Sequence, residues 1–93
     1  MLRRVLTRIR DNVRNHRYIV TSHGRKEMND DELSIFDLEH VILTGEIVER
    51  QRDRATLELK YRVEGESLDG ELLEVVVKIS STGMLVILTV YKL

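Results

Sequence analysis

The stretch Ala55-Thr56-Leu57-Glu58-Leu59-Lys60-Tyr61-Arg62-Val63-Glu64 decides the fold class of this chain. Apolar side chains alternate with polar ones along the whole stretch, and a period of two is typical of a β-strand with one buried and one solvated face. The pattern therefore predicts a sheet that is covered on one side only. Other parts of the chain must cover the apolar side, because an uncovered hydrophobic face promotes aggregation.

Two further strands are predicted after this stretch. Residues 65–70 end in Asp69-Gly70 and predict a hairpin into a strand over residues 72–79. The polar run Ser80-Ser81-Thr82-Gly83 predicts a second hairpin into residues 84–91, which are apolar on both faces and therefore expected inside the sheet. A short strand at Ile47-Val48, with a charged connection over residues 50–54, completes a predicted antiparallel meander.

The half of the chain before the meander predicts helices. Residues 2–14 place apolar side chains on one helical face. A short strand is predicted at 17–21, and a second helix from Ser22 or His23 to about Asn29, capped by Thr21 or Ser22. A third helix is predicted from a Ser34 cap to Gly45, with Gly45 in the left-handed conformation. Met28 and Phe36 are predicted to belong to the core.

These elements predict an α+β fold in which N-terminal helices pack on one face of an antiparallel sheet. The chain has 93 residues, of which 42% are hydrophobic and 33% charged, enough apolar material for one domain over residues 1–93. Within it, residues 1–16 form a basic N-terminal helix and residues 17–91 the core. No apolar run approaches the roughly 20 residues that span a bilayer. A cytoplasmic protein without membrane association is expected.

The composition excludes several kinds of site. Because the chain has no cysteine, it has no disulfide, no cysteine-ligated metal and no thiol nucleophile. His16, His23 and His40 are too far apart in sequence for a compact metal motif, so neither a metal nor a cofactor is predicted. The sequence also lacks a glycine-rich phosphate loop and a nucleophilic serine motif.

The charge is unevenly distributed along the chain. Residues 1–26 contain eight arginines and lysines against one acid, a formal charge of +7, while the net charge of the whole chain is −1. The basic segment is compatible with a surface for a phosphate backbone or an acidic partner. It is equally compatible with an ordinary solvent face of an amphipathic helix.

The polar face of the sheet contains the first candidate site. Lys60, Arg62 and Lys78 are predicted there, together with Thr89 and Tyr91 or their alternates on the last strand. Cations around a hydroxyl group are suited to a phosphodiester, since they neutralise charge on its oxygens while the hydroxyl moves a proton. The alternative is that these are ordinary solvated residues on an exposed face.

His23 is the histidine best placed for acid–base chemistry. It is predicted at a strand-to-helix junction, where the helix N-terminus favours a bound anion. The alternative is that it caps the second helix or packs between helices. His16 is expected in solvent, and His40 is expected as a packed or surface residue.

The run Tyr18-Ile19-Val20-Thr21-Ser22-His23-Gly24-Arg25-Lys26-Glu27-Met28 resembles the opening of the domain-of-unknown-function family numbered 4258. Three further matches follow in order over residues 17–91. They are the Ser34–Asp37–Leu38–Val41 helix, the segment Thr44-Gly45-Glu46-Ile47-Val48-Glu49, and the closing strands containing Val75-Val76-Val77 and Ile87-Leu88-Thr89-Val90-Tyr91.

That family is distantly similar to the RelE-like and MqsR-like toxins of toxin–antitoxin systems, mRNA interferases that cut RNA without metal. The resemblance implies attack of a 2′-hydroxyl on the adjacent phosphate, with RNA as substrate and a cognate antitoxin as partner. His23 and Tyr91 match the family's own motif, and Lys60 and Arg62 complete the predicted catalytic set from the strand faces. Lys78, Arg25 and Thr89 are predicted to bind substrate. The alternative is a non-enzymatic interaction module of the same fold, or a homodimer formed through an edge strand.

Overall fold

The computed structural model describes residues 2–93. Three helices and five strands follow one another as α1 (Leu2–Arg14), β1 (Tyr18–Val20), α2 (Ser22–Asp30), α3 (Ile35–Thr44), β2 (Glu46–Arg52), β3 (Leu59–Glu66), β4 (Leu72–Ile79) and β5 (Leu85–Lys92). The strands form one sheet in the order β1-β5-β4-β3-β2. The predicted α+β class is confirmed. Among residues 2–93, no helix combines the length and the apolar character needed to cross a membrane.

The sheet is mixed, and this corrects the prediction of an antiparallel sheet. Strands β2 to β5 form the predicted antiparallel meander. Strand β1 instead pairs with β5 in parallel, with Tyr18 opposite Leu85 and Val20 opposite Ile87. Two helices and three strands separate β1 from β5 in the chain, a long connection of the kind that parallel pairing requires. Strand β5 lies between β1 and β4, so its predicted internal position is confirmed.

The helices cover one face of the sheet, as predicted. Helix α3 packs on β3 and β4, α2 packs against β5, and α1 packs mainly on α3. The buried apolar residues between these layers are Ile9, Val13, Met28, Leu33, Leu38, Val41, Ile42, Tyr61, Val63, Leu73, Val75, Val77, Leu85, Ile87 and Val90. Met28 is thus in the core. Phe36 is 65% exposed, so its predicted core position is wrong.

The exposure of Phe36 follows from helical geometry. The buried face of α3 is formed by Leu38, Val41 and Ile42. At 3.6 residues per turn, a side chain two positions before Leu38 points to nearly the opposite side of the helix. Phe36 therefore faces away from the sheet.

Strands β2 and β3 begin and end differently from the prediction. Strand β3 begins at Leu59 rather than at residue 55, because the Asp53 carboxylate accepts the backbone N–H groups of Ala55 and Thr56 and holds them in a turn. Leu57 follows in the left-handed region at φ 63°. Strand β2 runs to Arg52 and pairs with β3 along its length, so residues 50–52 are strand and not a connection.

Gly45 ends α3, but not in the predicted left-handed conformation. Its φ of −83° and ψ of −169° describe extended backbone, which any residue adopts. The requirement for glycine is spatial. A Cβ atom at this position would collide with the carbonyl oxygens of Glu64 and Val41. Gly45 therefore lets the end of α3 lie directly against β3.

The start of α3 is a capping box, as predicted. The Asp37 backbone N–H donates to Ser34 Oγ at 3.2 Å, and the Ser34 backbone N–H donates to Asp37 Oδ2 at 2.9 Å. Asp37 Oδ1 also accepts the backbone N–H of Leu68 at 3.1 Å. The hydrogen bond from the Ser34 backbone N–H is the main reason why the pKa of the Asp37 carboxyl lies below its ordinary value. The box thus ties α3 to the β3–β4 turn.

We expect Asp37→Asn to lower the free energy of unfolding at pH 7 by about 1 kcal/mol, the usual cost of losing a helix cap. Because the folded protein holds this carboxyl deprotonated more strongly than the unfolded chain, its contribution is complete above the unfolded pKa and is lost as the pH falls through the folded one. The difference between wild type and variant should therefore shrink in acid. Urea unfolding at several pH values measures it, with Asp69→Asn as the control. If the difference in free energy of unfolding between wild type and variant does not change with pH, the Asp37 carboxylate is not the stabilising group.

Candidate functional site

The N-terminus of α2 is fixed to strand β5. The Thr21 backbone N–H donates to the carbonyl oxygen of Ile87 at 3.0 Å. The Thr21 hydroxyl donates to the carbonyl oxygen of Leu88 and accepts the backbone N–H of Gly24, each at 3.1 Å. Thr21 is therefore the cap of α2, one of the two predicted alternatives. His23, two residues later, is positioned relative to β5 by these bonds.

His23 is neither a cap nor a packed residue. Its side chain is 70% exposed, and its Nε2 lies 3.3 Å from Glu27 Oε1, one turn further along α2. The same Glu27 oxygen accepts the backbone N–H of Val90 at 3.0 Å. Glu27 thus connects the imidazole to the end of β5, next to Tyr91. An exposed histidine oriented by a carboxylate is the arrangement used by general bases.

Thr89 and Tyr91 lie on the sheet face opposite the helices. The register between β4 and β5 shifts between Val76 and Val77, so that Leu88 is an extra residue in β5. Before the bulge, Leu85 and Ile87 face the core; after it, Val90 does. Thr89 and Tyr91 consequently point to the open face, where Tyr91 is opposite Glu74. The sequence left open which alternates would occupy this face.

Glu74 is fully buried although it lies on the open face. Its Oε1 accepts a hydrogen bond from Arg62 Nη2 at 2.6 Å, and Arg62 Nη1 donates to Glu49 at 2.8 Å. The hydrogen bond to Glu74 is the largest cause that raises the pKa of Arg62, and the bond to Glu49 is the second. The guanidinium group therefore stays charged. Tyr91, Glu74 and Arg62 therefore form one polar cluster across three strands.

The other two predicted cations lie at the opposite end of the same face. Lys60 pairs with Asp53 at 3.4 Å, and Lys78 pairs with Glu58 at 2.8 Å. Lys78 is four residues from Glu74 along β4, a separation of about 13 Å. The structure thus places the predicted site residues of this face in three successive rows across the strands. Tyr91 is in the row of Glu74; Arg62 and Thr89 are in the next row, opposite Val76, and Lys60 and Lys78 are in the row after that. The Arg62 side chain is directed toward the Tyr91 row by its hydrogen bond to Glu74.

Arg25 is placed away from His23. Two residues along a helix correspond to a rotation of about 200°, so the two side chains leave α2 in opposite directions. Arg25 lines a cleft of about 200 Å³ with Val20, Met28 and others on the side facing α3. His23 instead points to Glu27. Arg25, which was predicted to bind substrate, therefore lies on the side of α2 away from His23.

The remaining histidines are apart from this cluster. His16 is exposed, as expected, with φ 55° at the end of α1. His40 Nδ1 lies 2.8 Å from the carbonyl oxygen of Glu66, and the residue lines an open cleft of about 610 Å³ with Glu46, Glu64 and neighbouring residues. Among residues 2–93, no three histidine or acidic side chains are grouped as metal ligands.

Sequence reasoning missed Glu27, and it placed Glu74 on the polar face without predicting its burial or its bond to Arg62. The first left a signal, because His23 and Glu27 are separated by four residues, the spacing at which helical side chains meet. Glu74 left none that distinguishes it from the other acids of the sheet. Its burial depends on the long side chains around it on neighbouring strands.

Comparison with known proteins bears on this arrangement. A family model described as "Domain of unknown function (DUF4258)" matches residues 20–92. The match begins within β1 and includes α2, α3 and the whole meander, with His23, Glu27, Arg62 and Tyr91 among its residues. No curated protein and no solved structure matches the chain. Since the family model covers most of the sequence, the resemblance carried by residues 18–28 is confirmed, and the chain belongs to the DUF4258 family.

Proposed function

We propose that this chain is a toxin-like endoribonuclease domain that cleaves RNA without a metal ion. The observation that carries the proposal is the contact of Glu27 Oε1 with both His23 Nε2, at 3.3 Å, and the backbone N–H of Val90, at 3.0 Å. An exposed histidine in contact with a carboxylate is thereby held on α2 at the edge of β5. The Tyr91 side chain lies on the open face of the same strand, so in this proposal the RNA crosses the edge of β5 to reach both groups. A cytoplasmic location, where mRNA is translated, follows from this proposal.

The reaction uses only groups of this chain. His23 Nε2 lies 3.3 Å from Glu27 Oε1, and in the proposed reaction Nδ1 takes the proton of an RNA 2′-hydroxyl. The 2′-oxygen attacks the adjacent phosphorus, and the bond from phosphorus to the 5′-oxygen breaks. The Tyr91 hydroxyl gives a proton to the leaving 5′-oxygen. Arg62 stabilises the charge on the phosphate oxygens. The products are a 2′,3′-cyclic phosphate and a 5′-hydroxyl.

The ion pairs assign unequal roles to the cations. Arg62 is held by two carboxylates near Tyr91, which fixes its orientation. Lys60 and Lys78 lie about 7 Å beyond the row of Arg62 and about 13 Å beyond the row of Tyr91, each beside one carboxylate. In the proposed reaction they contact a phosphate that flanks the cleaved one, and Thr89 lies in the row of Arg62. Arg25 has no role in it.

The test is cleavage of a mixed-sequence RNA by the purified protein in EDTA, with the chemistry of the product ends determined. We expect cyclic-phosphate and 5′-hydroxyl ends, and a rate about tenfold lower for Tyr91→Phe, equivalent to about 1.4 kcal/mol. Tyr18→Phe is the matched control, since the Tyr18 hydroxyl donates to Glu39 at 2.5 Å on the helix-covered face. Absence of cleavage by the wild type, or equal rates for the two variants, would contradict the proposal.

A non-enzymatic interaction module is the second candidate, and a specific apolar surface favours it. Phe36 and Leu68 are 65% and 60% exposed. The two residues lie in adjoining segments, because the Leu68 backbone N–H donates to the side chain of Asp37, the residue after Phe36. Exposed apolar surface is a common feature of sites that bind protein partners. An antitoxin or a second copy of the chain would occupy this surface, and light scattering of the purified protein distinguishes a dimer from a monomer.

A further inference from the structure

Four arginines at the end of the sheet remote from Tyr91 are neighbours on one surface. Arg4 and Arg8 are one turn apart on the exposed face of α1. Arg8 and Arg52 line a cleft of about 340 Å³ beside Leu57. Arg8 and Arg17 line a second cleft of about 310 Å³ beside the β4–β5 turn. We call Arg4, Arg8, Arg17 and Arg52 the arginine surface.

The charges of the arginine surface are not neutralised within the described part of the chain. None of the four arginines is within salt-bridge distance of a carboxylate among residues 2–93. Arg17 donates to the Asn12 side chain and Arg52 to the Leu57 carbonyl, both neutral groups.

The two acids that share these clefts already have cations of their own. Asp11 pairs with Arg14 at 3.4 Å and Glu58 with Lys78 at 2.8 Å. The contrast with the open face is direct, because Lys60, Arg62 and Lys78 are all in ion pairs. Nine arginines form no ion pair among residues 2–93, and four of these nine make up the arginine surface.

We propose that the arginine surface binds the phosphate backbone of single-stranded RNA, outside the site of cleavage. This inference rests on the proposed function and identifies where the RNA chain lies beyond the cleavage site. Guanidinium groups match phosphate oxygens with two parallel hydrogen bonds, which a lysine cannot do. Both clefts have volumes at the lower end of the range of about 300–1,000 Å³ that holds small ligands. The surface therefore offers separate places for successive nucleotides, with Arg8 between them.

The direction of the strand follows from the sheet. The arginine surface lies where β5 begins, and Tyr91 lies where β5 ends, a distance of about 20 Å along the strand. Lys78, beside the start of β5, lies between them on the open face. An RNA of several nucleotides reaches from the arginine surface to His23 and Tyr91. A dinucleotide is too short to reach both places. Comparing the two substrates therefore distinguishes binding at the arginine surface from the cleavage reaction.

The test measures binding without cleavage. A fluorescein-labelled 2′-O-methyl RNA of about a dozen nucleotides has no attacking hydroxyl, so anisotropy reports only its affinity. We expect Arg8→Glu and Arg52→Glu each to weaken binding about fivefold or more. Arg8→Ala should lower the slope of log affinity against log salt by about 0.7, the value for one phosphate contact with a single strand. Lys26→Glu is the control, since Lys26 is exposed on α2, is paired with Asp30 and lines neither cleft.

The outcomes separate this inference from the proposed function. If Arg8→Glu slows cleavage of long RNA but not of a dinucleotide, the arginine surface binds the flanking strand. If the wild type fails to bind the 2′-O-methyl RNA, or if Arg8→Glu binds it as well as Lys26→Glu does, the inference is wrong whether or not RNA is cleaved. Poly-glutamate that binds as tightly as RNA, with the same dependence on Arg8, would also overturn it, in favour of an acidic protein. If the wild type does not cleave the dinucleotide, this result contradicts only the proposed function.

Discussion

Replacing His23 by alanine is expected to reduce the rate of RNA cleavage by about 100-fold or more, the usual contribution of a general base. The effect should fall on kcat, because the imidazole accepts a proton only as the 2′-oxygen attacks. Since His23 is 70% exposed and its only side-chain partner in the described structure is Glu27, the substitution should leave the fold intact. Added imidazole should restore part of the activity, which a merely structural role would not allow.

Two further variants sharpen this prediction. Glu27→Gln keeps an oxygen that accepts the Val90 N–H but removes the carboxylate that orients His23, so a smaller loss of about tenfold is expected. His16→Ala removes another exposed histidine and should have no effect. Equal activities of His23→Ala and His16→Ala, measured on the same RNA, would rule out His23 as the base.

Replacing Gly45 by alanine is expected to lower the free energy of unfolding by about 3 kcal/mol, at the upper end of the usual cost of overpacking. The added methyl group would collide with the backbone carbonyls of Glu64 and Val41, and neither backbone can move without separating α3 from β3. Stabilities of small domains are about 5–15 kcal/mol, so such a loss is a large fraction of the whole. Urea unfolding followed by circular dichroism measures it.

Gly70→Ala is the matched control for this substitution. Gly70 has a φ of 84°, but a Cβ atom there would have no neighbour within 4 Å. Replacing it by alanine therefore adds only the cost of a non-glycine residue in the left-handed backbone conformation, about 1–2 kcal/mol. Gly70→Asn should cost less, since asparagine tolerates this conformation. If Gly45→Ala is no more destabilising than Gly70→Ala, the close approach of α3 to β3 is not what requires a glycine at residue 45.

The elements that depend on local pattern were predictable from the sequence. The Ser34–Asp37 capping box, the helix over residues 2–14 and the hairpins at Gly70 and Gly83 all arise from residues close together in the chain. The parallel pairing of β1 with β5 was not predictable in this way, because it joins segments far apart in sequence. The same is true of Gly45, whose neighbour Glu64 is on another strand.

The members of the candidate site stay predictions, and the structure adds how they are arranged. His23 and Tyr91 were identified from the sequence, and Glu27 links His23 to the backbone next to Tyr91. The carboxylates that pair with Lys60, Arg62 and Lys78 were not identified, because which acid meets which cation depends on strand register. Register is set by the whole sheet and cannot be read from one strand.

The extra residue at Leu88 decides which side chains face solvent at the end of β5. In a strictly alternating strand that begins with Leu85 and Ile87 in the core, Thr89 and Tyr91 would also enter the core and Val90 would be exposed. The bulge takes up one residue and reverses this assignment. Deleting Leu88 would place Ile87 and Thr89 next to each other opposite Val77 and Val76, so Thr89 and Tyr91 would stay on the open face of a regular strand. A homologue with one residue fewer before the Thr-Val-Tyr ending therefore keeps this surface, and a homologue of the same length whose β5 has no bulge loses it.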